Sequence, residues 1–240
     1  MAYYLGECIR GVNDAKKALN IQVNHSDDNP RVEINPERVQ SSSPQLREYI
    51  IGKTEQNGAI YPTSNFESLP FTAPVKQLLQ GLQGLSQAMC NQIIRFEDPK
   101  ISHLPRYLIA PGSSGHGVGG IHYPVMALNN RNLMLSMPVP HTGIALAGQM
   151  EDMGTTGEIS VNNLHKMNTN LERIASSQLL HAAQAIDLRG ISASRLGVGT
   201  KDLYQQYRKV LPFIDRDRIF TVDMEKGCKV IKDFHAEDKL

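Results

Sequence analysis

Seven apolar residues spaced for one face of a helix constrain this chain more than any other feature: Val75, Leu78, Leu82, Leu85, Met89, Ile93 and Phe96. Their gaps are 3, 4, 3, 4, 4 and 3 residues, the 3.6-residue repeat of a long amphipathic helix rather than the alternation of a strand. Thr72 and Pro74 suit the start of that helix, because proline in a first turn forfeits no needed N–H, and Asp98-Pro99 suits its end. Leu164, Met167, Leu171 and Ile174, continued by Ala175, Leu179, Ala182 and Ile186, predict a second long helix over 159–188, closed by Arg189-Gly190. Helices are also expected over 4–21, 119–135, 201–211 and 223–234, with Pro124 requiring an N-terminal turn or a kink. Strands are scarce: only 31–34 and 58–61 are suited to pair, as a small hairpin. The expected fold class is all-α, a long antiparallel helical bundle with extended ordered loops. A long irregular loop over 24–70, a helical core over 71–190 and C-terminal helices over 200–235 make up a single domain, 1–240.

Composition narrows what such a bundle does. The 240 residues are 40% hydrophobic and 20% charged, which excludes a disordered tail and allows a sizeable core. Trp is absent and aromatics make up 6%, so that core must rest on Leu, Ile, Val, Met and Ala. A net charge of +1 gives no concentrated field for nucleic acid or a membrane surface. No apolar run approaches the roughly 18 residues of a membrane span. The start, MAYYLGECIRG, lacks the order of a signal peptide. Cys8, Cys90 and Cys228 are odd in number and far apart, so neither a disulfide framework nor a zinc motif is supported, and a cytoplasmic location is expected.

Local motifs divide into weak and stronger signals. Gly115-x-Gly117-x-x-Gly120 matches the dinucleotide fingerprint by letter, but the preceding run Tyr107-Leu-Ile-Ala is cut by Pro111 and no βαβ unit surrounds it. A flexible loop entering a helix is the better reading. Of the histidines, His116 and His122 are six apart and His103 and His141 stand alone, none at metal-ligand spacing. No GxSxG elbow exists for a nucleophilic serine. The cluster from Arg216 to Arg218 reads as a solvated face. Glu151-Asp152 is different, because it lies in a Gly/Thr loop with almost no charge nearby. A carboxylate so placed suits substrate-cation binding or pKa tuning, against the alternative of a cap for the 159–188 helix.

Several segments together resemble the aromatic amino acid ammonia-lyase family, most closely its histidine ammonia-lyase branch. Leu5-Gly-Glu-Cys-Ile, Ala18-Leu-Asn-Ile and Ser26-Asp-Asp-Asn-Pro30 are similar to that family's helix and Asp-Asn-Pro loop. Ser64-Asn-Phe-Glu-Ser-Leu-Pro70 resembles Gly-Asn-Phe-His-Gly-Glu-Pro. Arg95-Phe-Glu-Asp-Pro-Lys-Ile-Ser-His-Leu-Pro-Arg-Tyr-Leu108 follows Arg-Leu-Val-Asp-Pro-Ala-Leu-Ser-Gly-Leu-Pro-Pro-Phe-Leu without a gap. Pro111-Gly with Ser114-Gly115 is similar to the Pro-Gly-Leu-Asn-Ser-Gly loop, and Gln149 to Gly157 to the glutamine-Glu-Asp loop. Leu179-Leu-His-Ala-Ala-Gln-Ala-Ile-Asp matches the helix reading Leu-Leu-Ala-Ala-Ala-Gln-Ala-Leu-Asp, and Pro212 to Arg218 fits the tail. The likeness is collinear from about residue 5 to 234.

The resemblance implies half of an ammonia-lyase-type fold, the C-terminal half. Such lyases form their electrophile, 4-methylidene-imidazole-5-one (MIO), from an Ala-Ser-Gly triplet, and no Ala-Ser-Gly occurs in these 240 residues. Ser113-Ser114-Gly115 is the nearest triplet but falls on the Asn-Ser-Gly loop. The family's Tyr base and its Tyr-Ser-x-Arg segment also lie upstream of the matching region. The implied partner is therefore an N-terminal lyase subunit carrying Ala-Ser-Gly, in a hetero-oligomer with shared active sites and a small amino acid substrate. Glu151 falls on the family's active-site acidic or amide position and Phe66 on a pocket aromatic; no metal is implied. Met153-Gly-Thr-Thr replaces the usual His-Val-Ser-Met, and Glu67-Ser-Leu replaces His-Gly-Glu, which puts histidine itself in question as substrate. A 2,3-aminomutase subunit and a non-catalytic accessory or degenerate paralogue stay open, as does a piece of a longer chain. The fumarase/aspartase superfamily shares a Gly-Ser-Ser start at Gly112, but its Met-Pro-x-Lys-x-Asn continuation is absent.

Overall fold

A computed structural model describes residues 1–25, 30–34, 50–51, 58–62, 68–140, 143, 145–149 and 156–234. Helices dominate: α1 (Ala2–Val23), α2 (Leu69–Glu97), the single turn α3 (Pro99–Ser102), α4 (His122–Leu135), α5 (Gly157–Leu188), α6 (Val198–Val210) and α7 (Phe220–Asp233). The three strands β1 (Arg31–Glu33), β2 (Ile50–Ile51) and β3 (Gly58–Tyr61) form one antiparallel sheet in the order β1-β3-β2. The expected pairing of 31–34 with 58–61 is found, with Val32 opposite Ile60, but as part of three strands rather than a lone hairpin.

The chain forms two compact units. The first comprises Met1–Ile9, Gln77–Pro138 and Asn162–Leu240; the second comprises Arg10–Lys76 and Val139–Val161. The core of the first is one apolar cluster that includes Leu79, Ile93, Leu108, Ile121, Met167, Ile174, Leu180, Leu211 and Ile214. Glycines on α2 admit α1 to it. A Cβ at Gly81 would sit 3.6 Å from Cys8 Sγ, and one at Gly84 would overlap the Tyr4 ring at 2.3 Å. In the second unit, Lys76 Nζ donates to the Val139 carbonyl at 3.0 Å and to Thr156 Oγ1 at 3.3 Å.

Two helix readings need correction. α2 begins at Leu69, not near Thr72, so Pro74 lies inside it. Phe71 and Thr72 N–H groups bond to the Ser68 carbonyl and start the helix a turn earlier, so Pro74 costs it one N–H···O=C bond close to its N-terminus. The apolar stripe also coincides with the buried line only in part. On α2 the inward positions after Leu79 are Ser86, Met89, Cys90, Ile93 and Glu97, while Leu82, Leu85 and Phe96 are half-buried against the core. On α5 the inward positions turn to Ser177, Leu180, His181 and Gln184, leaving Ala175, Leu179 and Ala182 half-buried.

The polar residues in those inward lines are paired, as burial demands. Ser86 Oγ donates to Asn129 Oδ1 at 2.8 Å and accepts from Asn132 Nδ2 at 3.1 Å, and Asn170 Nδ2 donates to Asn132 Oδ1 at 2.9 Å. This ladder fixes the register of α2, α4 and α5. Gln184, fully buried, donates to the carbonyls of Leu108 and Ile214 and accepts from Ile214 N–H at 3.0 Å, clasping two loops to α5. Pro124 falls at the third position of α4, within its first turn, where its missing N–H breaks no ladder.

Candidate functional site

The glycine-rich segment before α4 is a shaped turn. Tyr107 and Leu108 both lie in the left-handed region, at φ 57 and 51, an uncommon conformation for large side chains. Val118 N–H bonds to the Tyr107 carbonyl at 2.9 Å, folding the segment back on itself. Gly117 has φ 56, and a Cβ there would meet that carbonyl at 2.5 Å; one at Gly119 would strike the Tyr107 ring at 2.7 Å. The backbone amides thus presented hold a carboxylate of the chain itself. Asp217 accepts from His116 N–H at 2.9 Å on each oxygen and from Gly117 N–H at 3.1 Å. Gly115 completes the cradle, since a Cβ there would lie 2.4 Å from Asp217 Oδ1. The letter match to a dinucleotide fingerprint is therefore a carboxylate cradle. The neighbouring Arg218 is not a solvated charge either: it pairs with Asp223 at 2.6 Å and donates to the Phe213 and Pro212 carbonyls.

Beside this turn three ionisable side chains meet. Glu97 ends α2, His122 opens α4, and His181 lies in the middle of α5. Glu97 Oε2 is 2.9 Å from His122 Nδ1, and Oε1 is 3.0 Å from His181 Nε2. His181 is fully buried, Glu97 is 5% exposed, and His122 is open on one side. His181 Nδ1 lies 2.7 Å from the Ser177 carbonyl, which can only accept, so that nitrogen carries a proton. The contact between His181 Nε2 and Glu97 Oε1 then requires one proton more, either on the ring as imidazolium or on the carboxyl. Both placements leave Oε2 free to accept from His122 Nδ1–H. With His122 neutral, the trio is uncharged overall, which a buried site favours. Tyr123 and Tyr107 flank the His122 ring at centroid distances of 4.2 and 6.2 Å.

The residues expected to touch substrate, Phe66 and Glu151, lie outside the described residues. Their described flanks, Pro62 and Ser68, Gln149 and Thr156, belong to the second unit. There Ala147, Gly148 and Gln149 all have positive φ, a tight turn closed by the bond from Gln149 N–H to the Leu146 carbonyl at 2.9 Å.

Glu97, His122 and His181 were not singled out by spacing, because 25 and 84 residues separate Glu97 from its partners. A signal was nonetheless present. Glu97 stands where the lyase pattern has Val, and His181 where it has Ala, two departures that prove to be partners. Among the described residues no group of His, Cys, Asp or Glu is disposed to hold a metal ion. The thiols are not candidate nucleophiles: burial pushes Cys90 up to about 11 and raises Cys8 and Cys228 above the usual thiol range. A groove of about 650 Å³, lined by Phe96, Ile101, Leu179, Ala182, Leu203 and Ile231, is apolar and open. It receives the α5 residues that leave the core.

The described residues thus form a helical scaffold of long helices clasped by ordered loops, with an exposed apolar groove. The family model for aromatic amino acid lyases matches residues 1–209, and the chain belongs to that family. It is 27% identical to histidine ammonia-lyase of Bacillus cereus over 221 residues, 92% of this chain and 39% of the relative. The solved ergothioneine-degrading enzyme ergothionase of Treponema denticola superposes with a TM-score of 0.80 at 28% identity, over 96% of this chain and 42% of that one. Histidine ammonia-lyase from Trypanosoma cruzi superposes at 0.67 with 25% identity, over 72% and 34%. Phenylalanine aminomutase of Pantoea agglomerans shares the fold at 0.78 and 20% identity, over 95% of this chain and 40% of that one. The chain thus spans about two fifths of the length of these relatives. No described helix is long and apolar enough to cross a membrane.

Proposed function

We propose that this chain is the C-terminal part of a heteromeric ammonia-lyase acting on an aromatic or histidine-like amino acid, completed by an N-terminal chain that carries Ala-Ser-Gly. The observation that carries the reading is a collinear match to about two fifths of the length of histidine ammonia-lyase and ergothionase by a chain with no such triplet. The triplet Ser113-Ser114-Gly115 does not fit the electrophile. Gly115 N–H, which would have to attack a carbonyl to cyclise, bonds to Ser113 Oγ at 3.3 Å, and a Cβ at Gly115 would lie 2.4 Å from Asp217 Oδ1. In this reading the MIO group resides on the N-terminal chain.

In this reading Glu151 balances the substrate ammonium or accepts from its ring N–H, and Phe66 walls the side-chain pocket. Helix α1 exposes Tyr3 at 90%, Ile9 at 63% and Val23 at 66%, apolar surface of the kind a partner covers. The similarity to histidine ammonia-lyase supports carbon–nitrogen cleavage, with a 2,3-aminomutase outcome as the close variant. The altered Met153-Gly-Thr-Thr segment favours a second reading, a non-catalytic accessory subunit.

One experiment separates them. The chain is mixed with an N-terminal lyase chain bearing Ala-Ser-Gly, and ultraviolet absorbance of an unsaturated acid is followed with β-amino acid analysis. Either product supports the catalytic reading, and Glu151→Gln should slow its formation without altering assembly. Complex formation without either product supports the accessory reading instead. Absence of a complex overturns both.

A further inference from the structure

We propose that the cavity beside His122 binds a small single-ring aromatic molecule bearing an O–H or N–H donor, with His122 Nε2 as the acceptor. The cavity, about 410 Å³, lies within the first unit and is lined by Tyr107, His116, His122, Tyr123, Asp217 and Phe220, among others. That volume admits one ring with a short substituent.

Glu97 fixes which end of His122 is available. Its Oε2 holds His122 Nδ1 at 2.9 Å, and its Oε1 is committed to His181 Nε2 at 3.0 Å. Suppose instead that Glu97 donated a proton from Oε2 to His122 Nδ1. His181 would then have to donate from both nitrogens, placing an imidazolium next to a neutral acid in a fully buried site. The uncharged arrangement avoids this, so Nδ1 carries the proton and Nε2 presents a lone pair. Nε2 has no hydrogen-bond partner among the described residues. Glu97 is thus a positioning residue, and the buried His181 positions Glu97 in turn.

The walls define the chemical class. Tyr107, Tyr123 and Phe220 supply ring faces and edges for a planar partner. The polar atoms favour a donor and disfavour an anion: His122 offers a lone pair and Asp217 a carboxylate. Arg218, the cation at the rim, is already turned to Asp223 and two carbonyls. Apart from the His116 ring, a phosphate or carboxylate would find no free positive group among these side chains.

The test uses the full chain with nitrogen-15-labelled histidine and follows side-chain correlations while phenol is added, with anisole and benzoate as probes lacking the donor or carrying negative charge. Before any addition, His122 should show the Nδ1–H tautomer. Phenol should shift Nε2 saturably, with anisole and benzoate at least tenfold weaker. His122→Phe should abolish the saturable phenol response of His116, which lines the same cavity. Glu97→Gln should preserve binding within a few-fold, because its carbonyl still accepts from His122 while its amide donates to His181. The proposal is overturned by an Nε2–H tautomer, by an unsaturable phenol response, or by anisole binding as tightly as phenol. The tautomer is read on the unaltered chain, so that result stands even where a variant fails to fold.

Discussion

His181 Nε2 meets Glu97 Oε1 at 3.0 Å across 84 positions of sequence, with both side chains buried. Breaking such a pair from one side strands a buried polar group, whereas replacing both partners by apolar groups removes the need for pairing. Glu97→Val should therefore destabilise by about 3–5 kcal/mol. The double change Glu97→Val with His181→Ala should cost less than the two single changes together, by about 0.5–3 kcal/mol. Glu97→Gln, which can satisfy both rings, should stay within about 1 kcal/mol of the parent. Urea unfolding of the four proteins measures the cycle; strict additivity would mean that the contact contributes nothing.

The Asp217 cradle predicts a suppressor. Gly115→Ala places a Cβ 2.4 Å from Asp217 Oδ1 and must push the carboxylate off its amides. Losing those bonds should destabilise by about 1–3 kcal/mol. Asp217→Ala loses the same bonds but opens the space, so adding Gly115→Ala to it should do little further harm. Thermal unfolding shows the pattern, and a nucleotide added to the parent chain should leave its Tm unchanged.

Sequence and structure agree where burial is apolar and part company where it is polar. The repeat from Val75 to Phe96 placed α2 because a helix needs only one apolar face to be recognised. The same repeat marks only part of the inward face: Val75, Leu78, Met89 and Ile93 are buried, while Leu82, Leu85 and Phe96 pack half-buried against the core. Ser86 and Glu97 lie on the buried line, and polar letters are read as outward unless their partners are known. Those partners, Asn129, Asn132, His122 and His181, sit on α4 and α5, beyond the reach of any local pattern. Asp217 was hidden likewise: a glycine motif shows that amides are exposed to something, not whose carboxylate fills them. Pro74 misled for a different reason, since Pro70 and the Ser68 carbonyl had already started the helix.

Alkaline pH should weaken the first unit through its buried acids. Burial holds the Cys90 thiol neutral up to about pH 11, against 9.0 when unfolded, and raises the Tyr207 phenol above its ordinary value. The unfolded chain releases the thiol proton first. The contribution is therefore complete below pH 9.0 and is lost as pH climbs to about 11. Urea midpoints at pH 8, 9.5 and 11 should fall in that order, and Cys90→Ala should flatten the part due to the thiol. In the same range Cys90 should resist alkylation in the folded chain and react once urea unfolds it. Prompt alkylation at pH 8 without denaturant would contradict the burial.

Lys76 ties together the two ends of the segment that carries Glu151. Its ammonium reaches the Val139 carbonyl at 3.0 Å on one side and Thr156 Oγ1 at 3.3 Å on the other, and Thr156 in turn accepts the Ser160 hydroxyl at the start of α5. A methionine of similar length keeps the apolar stem but removes the donors, leaving the carbonyl and hydroxyl to find water. Lys76→Met should therefore speed proteolytic cleavage between residues 139 and 156 several-fold while leaving the helical content of α4, α6 and α7 intact. Under the proposed lyase reading, in which Glu151 contacts substrate, it should raise KM more than it lowers kcat. Lys76→Arg, which restores a donor at nearly the same reach, should recover much of the resistance to protease. Cleavage rates that are equal for all three proteins would show that the segment is held by other contacts.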